Sequence, residues 1–147
     1  MNIIMNAEIL APAAVLVAWT MTILIWMTIT RFVAIGKSGM SLSDTPAGAR
    51  YNLIEDKMPP KVNWVSHNYT HLVEQPTLFY ATVAILALAG AGSGINATLA
   101  WAYAGIRIVH SLWQLSVNTL PIRIALFMAS SVCLIALVVN AVCTTLF

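Results

Sequence analysis

Three long stretches of this chain hold no Asp, Glu, Lys, Arg or His, and they constrain its fold more than any motif does. They are residues 9–30, 75–106 and 124–147. A helix crosses a bilayer core with about 20 apolar residues, so the first and last stretches each suffice for one span. The middle stretch is too long for a single crossing. Its interruption, GAGSG at residues 90–94, supplies the clustered glycines and serine that favour a turn. In lipid every backbone polar group must be satisfied within the protein, which leaves helices as the simplest solution for such runs. Asn118, Thr119 and Pro121 punctuate the chain again, and proline suits the first turn of the helix that follows. The pattern predicts an all-α integral membrane four-helix bundle in one domain, residues 1–147, with helices at about 8–32, 67–90, 96–117 and 121–146.

The only long polar segment, residues 36–66, joins the first two helices. With its flank it holds Arg31, Lys37, Arg50, Lys57 and Lys61, whereas the turn at residues 90–94 and the C-terminal tail hold no Lys or Arg. The positive-inside rule then puts this loop in the cytoplasm and both termini on the opposite side. A secretory signal peptide is not expected, because the N-terminus lacks a basic leader and the apolar run after it is too long. A formal charge of +2 gives no reason to expect nucleic acid. Gly36-Lys37-Ser38 looks like the end of a phosphate loop, but the glycine needed five residues earlier is Arg31. Cys133 and Cys143 sit ten residues apart on one helix, too far for a disulfide, and read as small apolar residues.

Glu74, Arg107, His110 and Arg123 break the apolar pattern. A charge at the bilayer centre costs roughly 2.5–3.5 kcal/mol on insertion scales. In a chain 60% hydrophobic and 8% charged, such residues either satisfy one another or hold a polar ligand. Helical rise sets Glu74 roughly 10 Å from the cytoplasmic end of the second helix. His110 comes to a similar depth on the third helix, with Arg107 slightly deeper and Arg123 in the first turn of the fourth. Spacing aligns them as well. His67, His71 and Glu74 form one helical stripe, and Arg107, His110 and Gln114 form another. Both stripes should face the bundle interior or a neighbouring subunit. A Glu74–Arg107 ion pair is the structural reading, but one carboxylate does not neutralise two guanidiniums. The surplus positive charge favours an anion, which Arg grips with a planar fork. Arg123 alone has a simpler reading, in which it snorkels to the interface. His67 and His71 share a face, yet a lone pair of histidines is weak evidence of a metal site, and no metal is expected.

Residues 107–123 read RIVHSLWQ and then LPIR, an Arg-x-x-His followed by a further Arg on the last helix. HLVEQPTLF at residues 71–79 sets a Glu before a Pro and an aromatic-rich run, and Arg31 closes the first helix. In this order the three features resemble the MAPEG family, the membrane-associated proteins in eicosanoid and glutathione metabolism, over about residues 64–132. The resemblance implies a homotrimer of four-helix protomers with glutathione as cofactor, bound between subunits and open to the cytoplasm. It also implies contact with membrane lipid and a hydrophobic small-molecule substrate. By that likeness Arg31, His71, Glu74, Arg107, His110, Gln114 and Arg123 would bind glutathione, and Arg123 would be catalytic, stabilising the thiolate. The function implied is a glutathione-dependent transferase or peroxidase acting on hydrophobic electrophiles.

The chain also departs from the family pattern. His71 stands where family enzymes usually have Asn, and Gln114 where Tyr is common. Ile124 and Phe127 replace hydroxyl-bearing residues of the prostaglandin synthase, which argues against that chemistry. Two other functions remain open from sequence: a non-catalytic scaffold of the same family that binds lipid or a partner, and a small proton- or cation-coupled transporter.

Overall fold

The computed structural model describes residues 7–147 apart from 40, 42, 44, 51 and 52. Four helices account for most of it: α1 (Leu10–Ser38), α2 (Pro60–Leu88), α3 (Ile95–Ser116) and α4 (Leu120–Leu146). Single 3-10 turns at Ala7–Ile9 and Glu55–Lys57 precede α1 and α2. α1 runs past the anticipated residue 32, and α2 begins at Pro60 rather than near 67. Both extensions reach into the polar segment, where hydropathy carries no signal. Local chemistry decides the ends instead. Pro60 occupies the first turn of α2, where its missing N–H is not needed. At the other end Gly90 takes φ 75°, a left-handed conformation suited to glycine, and lets the chain turn toward α3.

α3 packs most extensively on α4 and α1 on α2, while α3 also touches α1 and α2. α2 and α3 are therefore the inner elements, and α1 and α4 flank them. The core between them contains Leu16, Ile23, Leu72, Leu86 and Leu137, with the Phe79 ring stacked on Tyr103 at 4.3 Å. Buried polar groups are tied across helices. Asn140 donates to Asn96 (2.7 Å), and Tyr103 donates to Gln75 (3.2 Å), which donates to Ser131 (2.8 Å).

Among the described residues three of the four helices, α1, α2 and α4, are long and apolar enough by themselves to cross a membrane. α3 falls short because Arg107, His110, Ser111 and Gln114 lower its hydropathy, yet all four side chains are buried by the neighbouring helices. A helix enclosed by protein needs no uniformly apolar surface. α1 and α4 present the opposite case. Ile25, Ile29, Phe32, Ile135 and Val139 are at least half exposed, an apolar outer surface that suits contact with lipid. This is an all-helical integral membrane protein.

Candidate functional site

The site forms where α2, α3 and the start of α4 converge. On α3, Arg107, His110 and Gln114 follow i, i+3, i+7 spacing and all point inward; Arg107 is only 1% exposed. Its Nη2 donates to the main-chain carbonyl of His71. Nε and Nη1 are buried with no partner among the described residues. The guanidinium carbon lies 5.9 Å from the centre of the Phe127 ring, a cation–π distance. A buried charge with two unsatisfied donors is costly, and costly groups of this kind cluster where a ligand supplies the missing partner.

His71 connects the surrounding groups. Its Nε2 lies 3.1 Å from Nη2 of Arg123. Arginine can only donate, so Nε2 accepts and the ring hydrogen sits on Nδ1. That hydrogen faces Glu74, whose Oε2 is 3.4 Å from Nδ1. His110 meets the ring edge-on, with centroids 6.1 Å apart. Arg123 is anchored on its other side, where Nη1 donates to Oδ1 of Asn118 at 3.0 Å. Asn118 ends α3 with φ 58°, a left-handed conformation that asparagine tolerates, and its N–H caps the Trp113 carbonyl at 2.9 Å. His71, His110, Leu120, Arg123, Ile124 and Phe127 line a pocket of about 260 Å³, in which α2 and α3 supply the two histidines and α4 supplies Arg123 and three apolar side chains.

A model of the MAPEG family matches residues 9–143, nearly the full length. The chain belongs to the MAPEG family. No curated protein and no solved structure matches it. Membership makes this MAPEG protein, in general terms, a membrane protein of glutathione or eicosanoid metabolism.

Several anticipated residues behave differently from the expectation. No Glu74–Arg107 ion pair forms among the described residues; Glu74 pairs with His71 and its side chain is 62% exposed. The α2 stripe does not face inward. His67 lies outside with Glu55 as partner, and only His71 reaches the pocket. Arg123 does not snorkel freely, since Asn118 and His71 both hold it. Arg31, half-buried on α1, does not line the pocket. Gln114 is fully buried, and both atoms of its amide lack partners among the described residues. No group of three or more metal-ligating side chains assembles among the described residues.

Other contributors were not apparent from sequence. Asn118, a helix breaker by sequence, also caps α3, and an Asn at a helix end before Thr-Leu-Pro is a recognisable left-handed cap. Phe127, which carries no hydroxyl, supplies the ring beside Arg107. Asn68 and Trp19 both donate to Ser111 Oγ, at 2.8 and 2.9 Å, bracing α3 at the residue next to His110. These last contacts join residues far apart in sequence, and no local signal announces them.

Proposed function

We propose that this MAPEG protein is a glutathione-dependent membrane transferase or peroxidase acting on hydrophobic electrophiles. One observation carries the reading: Arg123 lines the pocket, Arg107 is buried behind its His71 and Phe127 walls, both keep N–H groups without a partner, and no carboxylate touches either of them among the described residues. The donor set fits glutathione, which brings two carboxylates, an ammonium and a thiol. The unpartnered Arg107 donors suit a carboxylate in fork geometry. The exposed Glu74 carboxylate suits the ammonium, and the Gln114 amide can both donate and accept. Bound there, glutathione would supply a thiolate nucleophile.

Each protein group then has a defined task. Arg123 keeps a fixed positive charge at the pocket wall, because Asn118 and His71 restrain its guanidinium. A cation beside a thiol of pKa about 8.5 raises the thiolate fraction. One unit of lowering takes only about 1.4 kcal/mol of differential stabilisation. His71 orients Arg123 and Glu74 together, while Leu120, Ile124 and Phe127 exclude water from the α4 side. The electrophile would arrive from the bilayer. The site would lie between subunits of a homotrimer and open to the cytoplasm on the side of residues 36–66. Arg31, away from the pocket within one protomer, would join it from a neighbour's α1.

A non-catalytic lipid- or partner-binding role is the second reading, favoured by the apolar Ile124 and Phe127 at the pocket. Purified protein separates the two. Glutathione at 100 times its dissociation constant should raise the folded state's stability by about 2.7 kcal/mol. Turnover of a generic electrophile should accompany it and vanish in a folded Arg123→Ala variant. Stabilisation without turnover selects the binding role, and absence of both rejects glutathione altogether.

A further inference from the structure

A second cleft lies away from this site and shares no lining residue with it. It has a volume of about 580 Å³ and opens between the last turns of α1 and the start of α2. Ile29, Val33 and Lys37 line it from α1, with Lys57, Pro59 and Val62 opposite. We propose that this cleft binds an anionic phospholipid of the adjacent leaflet.

The order of side chains along α1 carries the argument. Ile29, Val33 and Lys37 recur every four residues and share one helix face. From Ile29 to Lys37 the helical rise covers about 12 Å, passing from apolar surface to a cation at the helix end. A phospholipid has the same polarity profile, acyl chain and then charged headgroup. Ile29 is 58% and Val33 50% exposed, so an acyl chain would cover surface that the protein leaves open.

Polar groups in the cleft reduce to the two lysines. The hydroxyls of Thr30 and Ser38 turn back onto their own helix, donating to the carbonyls of Trp26 (2.9 Å) and Ile35 (2.8 Å). Among the described residues no carboxylate lines the cleft. Glu55 is held by His67, and Asp56 lines a different hollow beside His67 and Asn118. The first turn of α2 also borders the cleft, adding the positive end of its helix dipole. Charge complementarity therefore selects an anionic headgroup over a zwitterionic one, and lysines near a membrane surface attract such lipids. Gly36-Lys37-Ser38, which fails as a phosphate loop, gains a role through Lys37 alone.

The test is native mass spectrometry of the full-length protein, purified in detergent with equal amounts of palmitoyl-oleoyl phosphatidylglycerol and phosphatidylcholine. Wild type should retain phosphatidylglycerol preferentially. The double variant Lys37→Gln/Lys57→Gln should reduce that preference by on the order of tenfold. A charge-matched control, Arg50→Gln/Lys61→Gln, removes two cations outside the cleft and should keep it. Val33→Trp, which fills the apolar end, should lower retention of phosphatidylglycerol with both lysines present. Circular dichroism establishes that each variant is folded. Equal retention of the two lipids by wild type, or equal losses in the two double variants, overturns the proposal. So does a covered cleft, revealed when no lipid is retained and Val33→Trp instead changes the oligomeric state.

Discussion

Arg107 shows how one residue can be costly to the fold and useful to the site. It is 1% exposed, with Nη2 bound to a carbonyl and with Nε and Nη1 lacking a partner among the described residues. Replacing a poorly satisfied buried ion by an apolar side chain of similar volume is often neutral or stabilising. Arg107→Leu is expected to keep or raise the unfolding temperature while losing all stabilisation by glutathione. Arg107→Lys should not restore that response, since an ammonium lacks the fork. A large loss of stability in Arg107→Leu would instead assign Arg107 a structural role. Gln114 follows the same logic: its unpaired buried amide should make Gln114→Leu more stable by about 1 kcal/mol, measured by thermal unfolding, and a weaker glutathione binder. Asn118 separates backbone from side chain. Asn118→Gly keeps the left-handed turn, at φ 58°, but releases Arg123. Turnover should fall in that variant with the unfolding temperature little changed.

Among the elements, α3 departs most from what hydropathy suggests. Its inward face combines Arg107, His110, Ser111 and Gln114 with the small residues Ala100 and Ala104, which are 0 and 1% exposed. Small residues let neighbouring helices approach closely, and van der Waals packing is a main source of helix association in lipid. Ala104→Leu should therefore overpack this face and cost about 1–3 kcal/mol, seen as a lower unfolding temperature. The α3 polar stripe was legible in sequence because three residues at i, i+3 and i+7 on a single helix must share a face. The α2 stripe was legible as a stripe, but its two expected orientations, toward the bundle interior or toward a neighbouring subunit, were not separated by spacing alone. His67 and Glu74 proved to lie outward, because Val65, Leu72, Phe79 and Leu86 take the inner face of α2.

At the scale of the whole molecule, the exposed apolar surfaces of α1 and α4 and the position of Arg31 raise the question of assembly. If the site is completed between protomers, a mixture of Arg31→Ala and Arg123→Ala subunits contains some interfaces with both residues intact. Co-expressing the two inactive variants should then restore part of the turnover. A site completed within one protomer would give none.

Helix number, the turns at residues 90–94 and 118–119, and residence in the membrane all followed from sequence alone. They depend on local facts: the absence of charge over a span, and the backbone preferences of Gly, Pro and Asn. The convergence of Arg107, His110 and Arg123 was accessible too, since helical rise converts residue number into distance along each helix, and all three meet around His71. Tertiary structure decided which atoms meet. Whether Glu74 pairs with Arg107 or with His71 depends on how α2 and α3 are rotated against each other, and that rotation is set by side chains packed along their whole length. The same packing encloses α3, leaves two Arg107 donors unpartnered among the described residues, and sets Asn118 and His71 on either side of Arg123. No run of consecutive residues encodes those contacts, because each is made by groups that only the folded bundle brings within hydrogen-bond reach.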